Sequence, residues 1–152
     1  MIASSSFEET EVVGEWPVLF KDPISEIQIM QYAEASGDFN PIHLDPEAGA
    51  AAGVGGRIAH GMLIMGFCGQ AITRRIPKRA LKKFSVRFSG MARPGDRIAI
   101  RCRVREIVRN EESVCLFGEI TAISGNGEAV ATGTFEARCP IRSQRNGQRS
   151  HE

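Results

Sequence analysis

The spacing of hydrophobic residues predicts a first helix over residues 25–36. Ser25 and Gln28 stand in the capping-box pattern that begins many helices, and the apolar residues that follow recur at mostly helical spacing. Gly37 suits the position just beyond a helix C-terminus. We therefore expect a short helix that stops where a proline-containing segment begins.

A second, longer helix is predicted to begin near His60 and to end before Pro77, because no proline interrupts this stretch. Its apolar residues occupy nearly every face, which is typical of a helix enclosed by the rest of the fold. Three glycines lower its helix propensity, and we expect close backbone packing to explain Gly61, Gly66 and Gly69.

Beyond the second helix the hydrophobic period changes to two, which is typical of strands with one buried face. Strands are predicted at residues 84–88, 98–105, 113–124 and 128–137. The last two flank Gly125-Asn126-Gly127, a strong signal for a β-hairpin. The order of elements indicates an α+β fold, in which an antiparallel meander wraps its apolar face around one long central helix.

The composition predicts one globular domain, since 42% of the 152 residues are hydrophobic and 24% are charged. Residues 1–12 are rich in Ser and Glu, and residues 142–152 contain no aliphatic or aromatic residue. Both segments are expected to be flexible tails. The folded domain is expected over residues 13–141.

The formal net charge of +1 does not favour nucleic acid or an anionic membrane as a partner. No apolar run approaches the roughly 20 residues of a membrane span, and the N-terminus lacks the pattern of a secretory signal, so we expect a cytoplasmic protein. The four cysteines form no CxxC pair. We interpret Cys68, Cys102, Cys115 and Cys139 as buried thiols rather than zinc ligands.

Candidate chemistry is concentrated in the segment after the first helix. Asp38, Asn40, His43 and Asp45 are expected on irregular backbone stiffened by two prolines. An Asp and a His five residues apart can converge on one water molecule if this loop folds back. The pair would then act as general base and general acid.

Gly61 is the other candidate, because it stands at the predicted start of the buried helix. Unpaired N–H groups at a helix N-terminus can stabilise negative charge that develops on a carbonyl oxygen. A base, an acid and such a donor suit the addition of water to an activated double bond, or its reversal.

The chain contains YAEASGDFNPIHLD at residues 32–45, IAHGML at residues 58–63 and, less specifically, FSVRFSGMARPGD at residues 84–96. In these stretches it resembles the MaoC-like (R)-specific enoyl-CoA hydratases and dehydratases, which have the hot-dog fold. The resemblance implies that Asp38 and His43 are catalytic and that Asn40 supports the aspartate. It also implies that the Gly61 N–H binds the thioester carbonyl.

The resemblance further implies reversible hydration of trans-2-enoyl thioesters of CoA or acyl carrier protein to (R)-3-hydroxyacyl thioesters. Neither an organic cofactor nor a metal is required for this reaction. One departure is Gly66, where some short family members have a serine. The segment HGMLIMG is closer to dehydratase subunits of the family, some of which pair with a second, non-identical hot-dog chain.

Each candidate residue also has a structural interpretation. Asp38 could cap the Asn40 N–H, His43 could be an ordinary loop histidine, and Asp45 is expected to be a turn or cap. His60 is expected to orient the helix start through a backbone hydrogen bond. Metal binding by Asp38, His43 and Asp45 is disfavoured, because no fourth ligand stands at a recognisable spacing.

Association of two protomers is expected, since one sheet of this kind leaves an edge strand and part of the helix uncovered. A homodimer is the plain expectation, and a heterodimer with another hot-dog subunit is the alternative. Two other functions stay open: a hot-dog acyl thioesterase, and a non-catalytic subunit of a heteromeric dehydratase.

Overall fold

The structure, a computed structural model, describes residues 13–141. The two expected tails lie outside the described residues. The elements, in chain order, are β1 (Gly14–Glu15), β2 (Leu19–Phe20), α1 (Glu26–Ser36), α2 (Pro41–Leu44), α3 (Pro46–Ala51), α4 (Gly61–Thr73), a short 3-10 turn (Lys78–Ala80), β3 (Leu81–Phe88), β4 (Ile98–Arg109), β5 (Ser113–Ser124) and β6 (Ala129–Pro140).

Helix α1 has the bounds and the capping that its sequence predicts. The Ser25 hydroxyl accepts a hydrogen bond from the Gln28 N–H at 3.0 Å. Gly37 ends the helix in the left-handed conformation with φ 76°, which glycine adopts without strain. The helix buries Ile29 and Ala33.

The strands form one antiparallel sheet in the order β1-β4-β5-β6-β3, with β2 also paired to β4. Strands β4, β5 and β6 form the expected meander, but β3 pairs with β6 and not with β4. The prediction of a simple meander was therefore wrong for the first of the four strands. Its connection to β4 is too long to force neighbouring strands together, and the N–H groups of Ser89 and Gly90 instead follow β6 by bonding to Val130 O.

Helix α4 packs on one face of this sheet against β3, β4 and β5. It buries six residues on that side: Leu63, Ile64, Phe67, Cys68, Ala71 and Ile72. The opposite side is open, since Met62 is 54% exposed and Gly66 and Gln70 are also exposed. The central helix is therefore covered on one side within this chain, which confirms the expectation that one sheet leaves part of the helix uncovered, whereas enclosure on every face is not seen within residues 13–141.

The glycines of α4 do not share one explanation. A Cβ on Gly61 would lie 3.2 Å from the Phe88 ring, and one on Gly69 would lie 3.7 Å from Phe84. A Cβ on Gly66 would meet no atom within 4 Å. Close packing therefore explains Gly61, as predicted, but it does not explain Gly66.

The core between α4 and the sheet also holds one aromatic residue from outside the predicted elements, Trp16. Trp16, which lies just after β1, packs on Phe135 with ring centroids 5.4 Å apart. Gly118 provides the space for that phenylalanine, since a Cβ there would overlap the ring. Within residues 13–141, no helix has the length and apolar character needed to cross a membrane.

All four cysteines are free thiols. Cys68, Cys102 and Cys139 are buried, as expected, whereas Cys115 is half-buried. Burial raises the pKa of Cys68 to about 11 and that of Cys102 to about 12. These thiols are therefore core residues that stay protonated at neutral pH.

Candidate active site

The segment between α1 and α4 is more regular than its sequence suggests. The expectation of irregular backbone is confirmed for Asp38, Asn40 and Asp45 and was wrong for His43, which lies in α2. Asn40 and Asp45 each stand before a short helix that begins with a proline. The Asn40 side chain accepts from the Ile42 N–H at 3.2 Å, and the Asp45 side chain accepts from the Glu47 N–H at 2.9 Å. An Asx residue followed by proline is a favourable helix start, since proline lacks only an N–H that would be unpaired there.

The Asp38 side chain makes the expected capping contact and also lies close to His43. Its Oδ1 accepts the Asn40 N–H at 3.2 Å, which is the capping contact considered from sequence. Its Oδ2 lies 3.8 Å from His43 Nε2. With half of its side chain exposed, the carboxylate is open to solvent while one oxygen is held toward the imidazole.

His43 projects from α2 into a buried position. Its Nδ1 lies 2.8 Å from the main-chain oxygen of Ile58. A carbonyl oxygen can only accept, so Nδ1 carries a proton and Nε2 of the neutral ring presents a lone pair toward Asp38. The two candidate residues therefore converge, and the gap between them is of the size that one bridging water spans.

His60 lies directly beside this pair and makes a backbone hydrogen bond, as expected, although its partner lies outside α4. It is the N-cap residue of α4 but makes no side-chain cap bond to that helix. Its Nε2 instead bonds to the main-chain oxygen of Asp38 at 2.9 Å, and its ring stacks on the His43 ring at 3.8 Å between centroids. Tyr32 contacts the ring from another side, at 4.8 Å.

Gly61 begins α4 immediately after this histidine. The Leu63 N–H donates a hydrogen bond to the His60 main-chain oxygen at 3.1 Å. The N–H groups of Gly61 and Met62 precede the first intrahelical bonds and stay available to an external acceptor. The N-terminus of α4, which carries the positive end of the helix dipole, therefore lies close to the Asp38–His43 pair.

The same cluster supplies potential metal ligands. Asp38, His43 and His60 each place one ligand atom within 4.8 Å of the others. However, the two imidazole planes face each other, and the in-plane lone pairs of stacked rings run side by side rather than toward one centre. Asp45 is not in the cluster, because it caps α3. The donor set suits proton transfer better than tetrahedral coordination.

The arginines of β4 lie on the opposite, outer face of the sheet. Arg105 pairs with Glu119 at 2.7 Å and Arg103 with Glu15 at 3.7 Å. The Glu119 carboxylate raises the pKa of the Arg105 guanidinium. The paired, half-exposed side chains of Arg103 and Arg105 are typical of a solvated strand face.

Three contacts of the site were not found from the sequence. The Ile58 oxygen belongs to the backbone and leaves no mark in residue type. The bond from His60 to Asp38 joins residues 22 positions apart. Tyr32 lies on α1 and meets the His60 ring through tertiary packing, which no local pattern marks. The one available signal was His60 itself, a polar residue directly before the glycine of the buried helix.

The fold and the Asp38–His43 pair together indicate a class of protein. Comparison with known families identifies that class. The MaoC-like domain family matches residues 10–125, which is more than half of the chain. The chain belongs to this family, as the resemblance in its motifs implied.

Two curated relatives are named as dehydratases of thioester substrates. The chain is 34% identical over 104 residues to 3-hydroxybutyryl-CoA dehydratase of Methylorubrum extorquens, covering 67% of this chain and 65% of the relative. It is 34% identical over 118 residues to the mitochondrial 3-hydroxyacyl-[acyl-carrier-protein] dehydratase of Arabidopsis thaliana, covering 67% and 71%. It spans only 24% of a longer relative, probable dehydratase NIT22 of Ajellomyces capsulatus.

Solved structures share the fold. The (R)-hydratase from A. caviae superposes with a TM-score of 0.74 at 23% identity, covering 85% of this chain and 97% of that one. The ChsH1–ChsH2 complex from Mycobacterium tuberculosis gives a TM-score of 0.72 at 19% identity, covering 86% and 98%. The sheet and helix described above are therefore a hot-dog fold, as predicted.

Proposed function

We propose that this chain catalyses the reversible hydration of trans-2-enoyl thioesters to (R)-3-hydroxyacyl thioesters. The observation that carries the proposal is the 3.8 Å separation of Asp38 Oδ2 and His43 Nε2 beside the N-terminus of α4. Membership of the MaoC-like family supports the reaction class.

In the proposed reaction Asp38 and His43 hold one water molecule between them. One member of the pair removes a proton from the water as its oxygen bonds to C3. The pair then passes this proton to C2 from the same side of the double bond, so that one water is added and the pair returns to its starting protonation state. Fixing water and substrate together lowers the entropic cost of the step.

Two further residues assist in this proposal. The Gly61 N–H donates to the thioester oxygen, where negative charge develops as water adds to C3. Asn40 acts as a positioning residue, because its side chain caps the helix that carries His43 and its N–H fixes Oδ1 of Asp38. The thioester acidifies C2 by itself, so this mechanism uses no cofactor or metal.

The substrate is proposed to be a CoA or acyl-carrier-protein thioester, since the two named relatives act on one or the other. The cytoplasm remains the proposed compartment, and the four free thiols are consistent with it.

We further propose a homodimer as the working form. Within residues 13–141 strand β3 pairs on one side only, and the exposed side of α4 carries Met62. Phe39 and Phe88, which adjoin Asp38 and contact Gly61 respectively, are also exposed. A second copy would cover these apolar groups. Light scattering coupled to gel filtration should give twice the chain mass of 16.6 kDa, and a monomer at micromolar concentration would contradict the proposal.

The deciding experiment follows loss of enoyl absorbance with crotonyl-CoA and longer enoyl-CoAs. Asp38→Asn and His43→Ala should each lower turnover by at least ~100-fold while circular dichroism shows an intact fold. Asp45→Asn is the matched control, since it lies on the same segment but caps α3, and it should stay within about twofold of the unchanged chain. Activity that survives both site substitutions would refute the mechanism.

The same assay separates the alternatives. Release of free thiol from acyl-CoA without hydration of enoyl-CoA would identify a thioesterase. A chain that is inert alone but active after mixing with a second hot-dog protein would identify a partner-dependent subunit. Chiral analysis of the 3-hydroxyacyl product tests the (R) configuration, and an (S) product would contradict that part of the proposal.

A further inference from the structure

His60 is almost fully buried, at 2% exposure, yet its side chain does not serve the helix that it begins. Its ring is fixed between two other rings, Tyr32 at 4.8 Å and His43 at 3.8 Å between centroids. The second contact is a stack, with 26° between the planes. A histidine whose only task was helix capping would not need this arrangement.

The ring of His60 connects both members of the proposed catalytic pair. Its face lies on the imidazole of His43, and its Nε2–H donates to the main-chain oxygen of Asp38 at 2.9 Å. The bond fixes the proton on Nε2, because a carbonyl oxygen can only accept. The separation of Asp38 from His43 therefore depends on one side chain that touches both residues.

The other ring nitrogen has no protein partner. His60 Nδ1 is buried, and no hydrogen-bond partner meets it within residues 13–141. With the proton on Nε2, Nδ1 is an unpaired acceptor in a buried position, which costs stability. If stability alone mattered, an apolar side chain would suit this position. The imidazole instead supplies the N–H that donates to the main-chain oxygen of Asp38.

We infer that His60 is a positioning residue for the water-activating pair. It sets the distance between the Asp38 carboxylate and the His43 ring without touching substrate. This inference rests on the proposed hydratase function. Misplacement of reacting groups by about 1 Å can cost on the order of 100-fold in rate, so its loss should be visible in turnover.

Three substitutions separate the donor from the ring. The terminal amide of glutamine reaches the position of Nε2, so His60→Gln keeps a donor to Asp38 while it loses the stack. His60→Asn places its amide nearer the backbone and loses both contacts. His60→Phe keeps an aromatic ring against His43 and Tyr32 and loses the donor.

The test measures kcat and KM for crotonyl-CoA hydration with each variant at a temperature where circular dichroism shows it folded. His60→Asn and His60→Phe should lower kcat by about 10- to 100-fold and change KM by less than about threefold. His60→Gln should recover at least about fivefold of the kcat lost in His60→Asn. A merely structural role would lower the melting temperature without this split or this recovery.

A double-mutant comparison adds a second measure. If His60 acts through the pair, His60→Asn should change the residual rate of Asp38→Asn by less than about twofold. An active wild-type chain whose His60 variants keep wild-type kcat would overturn this inference alone. Loss of the fold in all three variants would also overturn it, since the role would then be structural. A wild-type chain without hydratase activity would overturn the proposed function, and this inference with it.

Discussion

The ring of His43 is anchored to the backbone by Ile58, whose main-chain oxygen lies 2.8 Å from Nδ1. Ile58 stands two residues before His60, and the Ile58 N–H in turn bonds to the Ile42 oxygen at 3.1 Å. Two hydrogen bonds therefore join α2 to the segment that leads into α4, one donated by each side. The anchoring bond leaves Nε2 of His43 as the one ring nitrogen that faces Asp38.

This relationship predicts that stability and activity depend on different nitrogens of His43. In His43→Asn the amide occupies the position of Nδ1 and can still donate to Ile58. In His43→Gln the amide lies near the position of Nε2, and the Ile58 oxygen loses its donor. We expect His43→Asn to be about 1 kcal/mol more stable than His43→Gln in urea unfolding, because a buried acceptor stays paired.

Both variants should lose at least ~100-fold in turnover, since an amide cannot exchange protons as an imidazole does. Urea titration and the crotonyl-CoA assay on the same samples check the two parts. Equal stability of the variants would show that the Ile58 bond contributes little. Turnover above a tenth of wild type in either variant would contradict the role of Nε2.

Asn40 offers a second test, because its side chain begins α2. Asn40→Ala removes the acceptor of the Ile42 N–H and should destabilise the chain by about 1 kcal/mol, with a loss of turnover as His43 becomes less well positioned. Asn40→Asp keeps an acceptor and should restore most of the stability. Chemical denaturation and kcat are the measurements, and an Asn40→Ala variant as stable and as active as wild type would contradict the positioning role.

The sequence was sufficient for those parts of the fold that depend on local pattern. Strand β5 has the predicted bounds, Ser113–Ser124, because alternation and the adjacent Gly-Asn-Gly turn agree. Helix α1 begins and ends at its capping residues. The pairing of β3 was missed, since which strand lies beside it is decided by packing across a long connection, and no local signal marks that choice.

The site shows the same division. The motif identified Asp38 and His43 and predicted that they converge, and the structure places them 3.8 Å apart. The two short helices around them were missed because each is too short for a hydrophobic period to show. The contacts of His60 with Asp38 and His43 come from tertiary packing. No spacing in a single sequence encodes such contacts.

Gly61 and Gly66 form a matched pair on α4, since only the first faces a close neighbour. In Gly61→Ala the new methyl would lie 3.2 Å from the Phe88 ring, so ring and helix start must shift by a few tenths of an ångström. We expect turnover to fall by about 10-fold or more, because the proposed oxyanion donor moves with the helix. A variant that keeps full turnover would argue against that role for the Gly61 N–H.

Gly66→Ala is the control, since its methyl meets nothing within 4 Å. This helix-interior replacement should leave turnover unchanged and raise the free energy of unfolding by up to about 1 kcal/mol. Loss of turnover in this variant would show that the exposed side of α4 takes part in the reaction or in an interface that the reaction needs.

The buried thiols predict how stability changes at high pH. Burial raises the pKa of Cys68 to about 11, and burial with the neighbouring Cys68 and Glu15 raises that of Cys102 to about 12. Unfolding returns the pKa of both thiols to the ordinary cysteine value of 9.0. Between pH 9 and these raised values the folded state binds more protons than the unfolded state. The free energy of unfolding must therefore fall as pH rises through this window, and the thiol contribution is fully present below pH 9.

The contribution of these thiols is the difference between wild type and Cys68→Ala/Cys102→Ala, since other groups also titrate at alkaline pH. The free energy of unfolding of the double variant should fall less steeply from pH 9 to 11, by at most about 1.4 kcal/mol per pH unit for each thiol. Urea unfolding at fixed pH steps measures both slopes. Alkylation of native protein at pH 8 gives an independent check, because half-buried Cys115 should react before Cys68 and Cys102. Parallel slopes together with rapid labelling of Cys68 would mean that these thiols are not enclosed in the core.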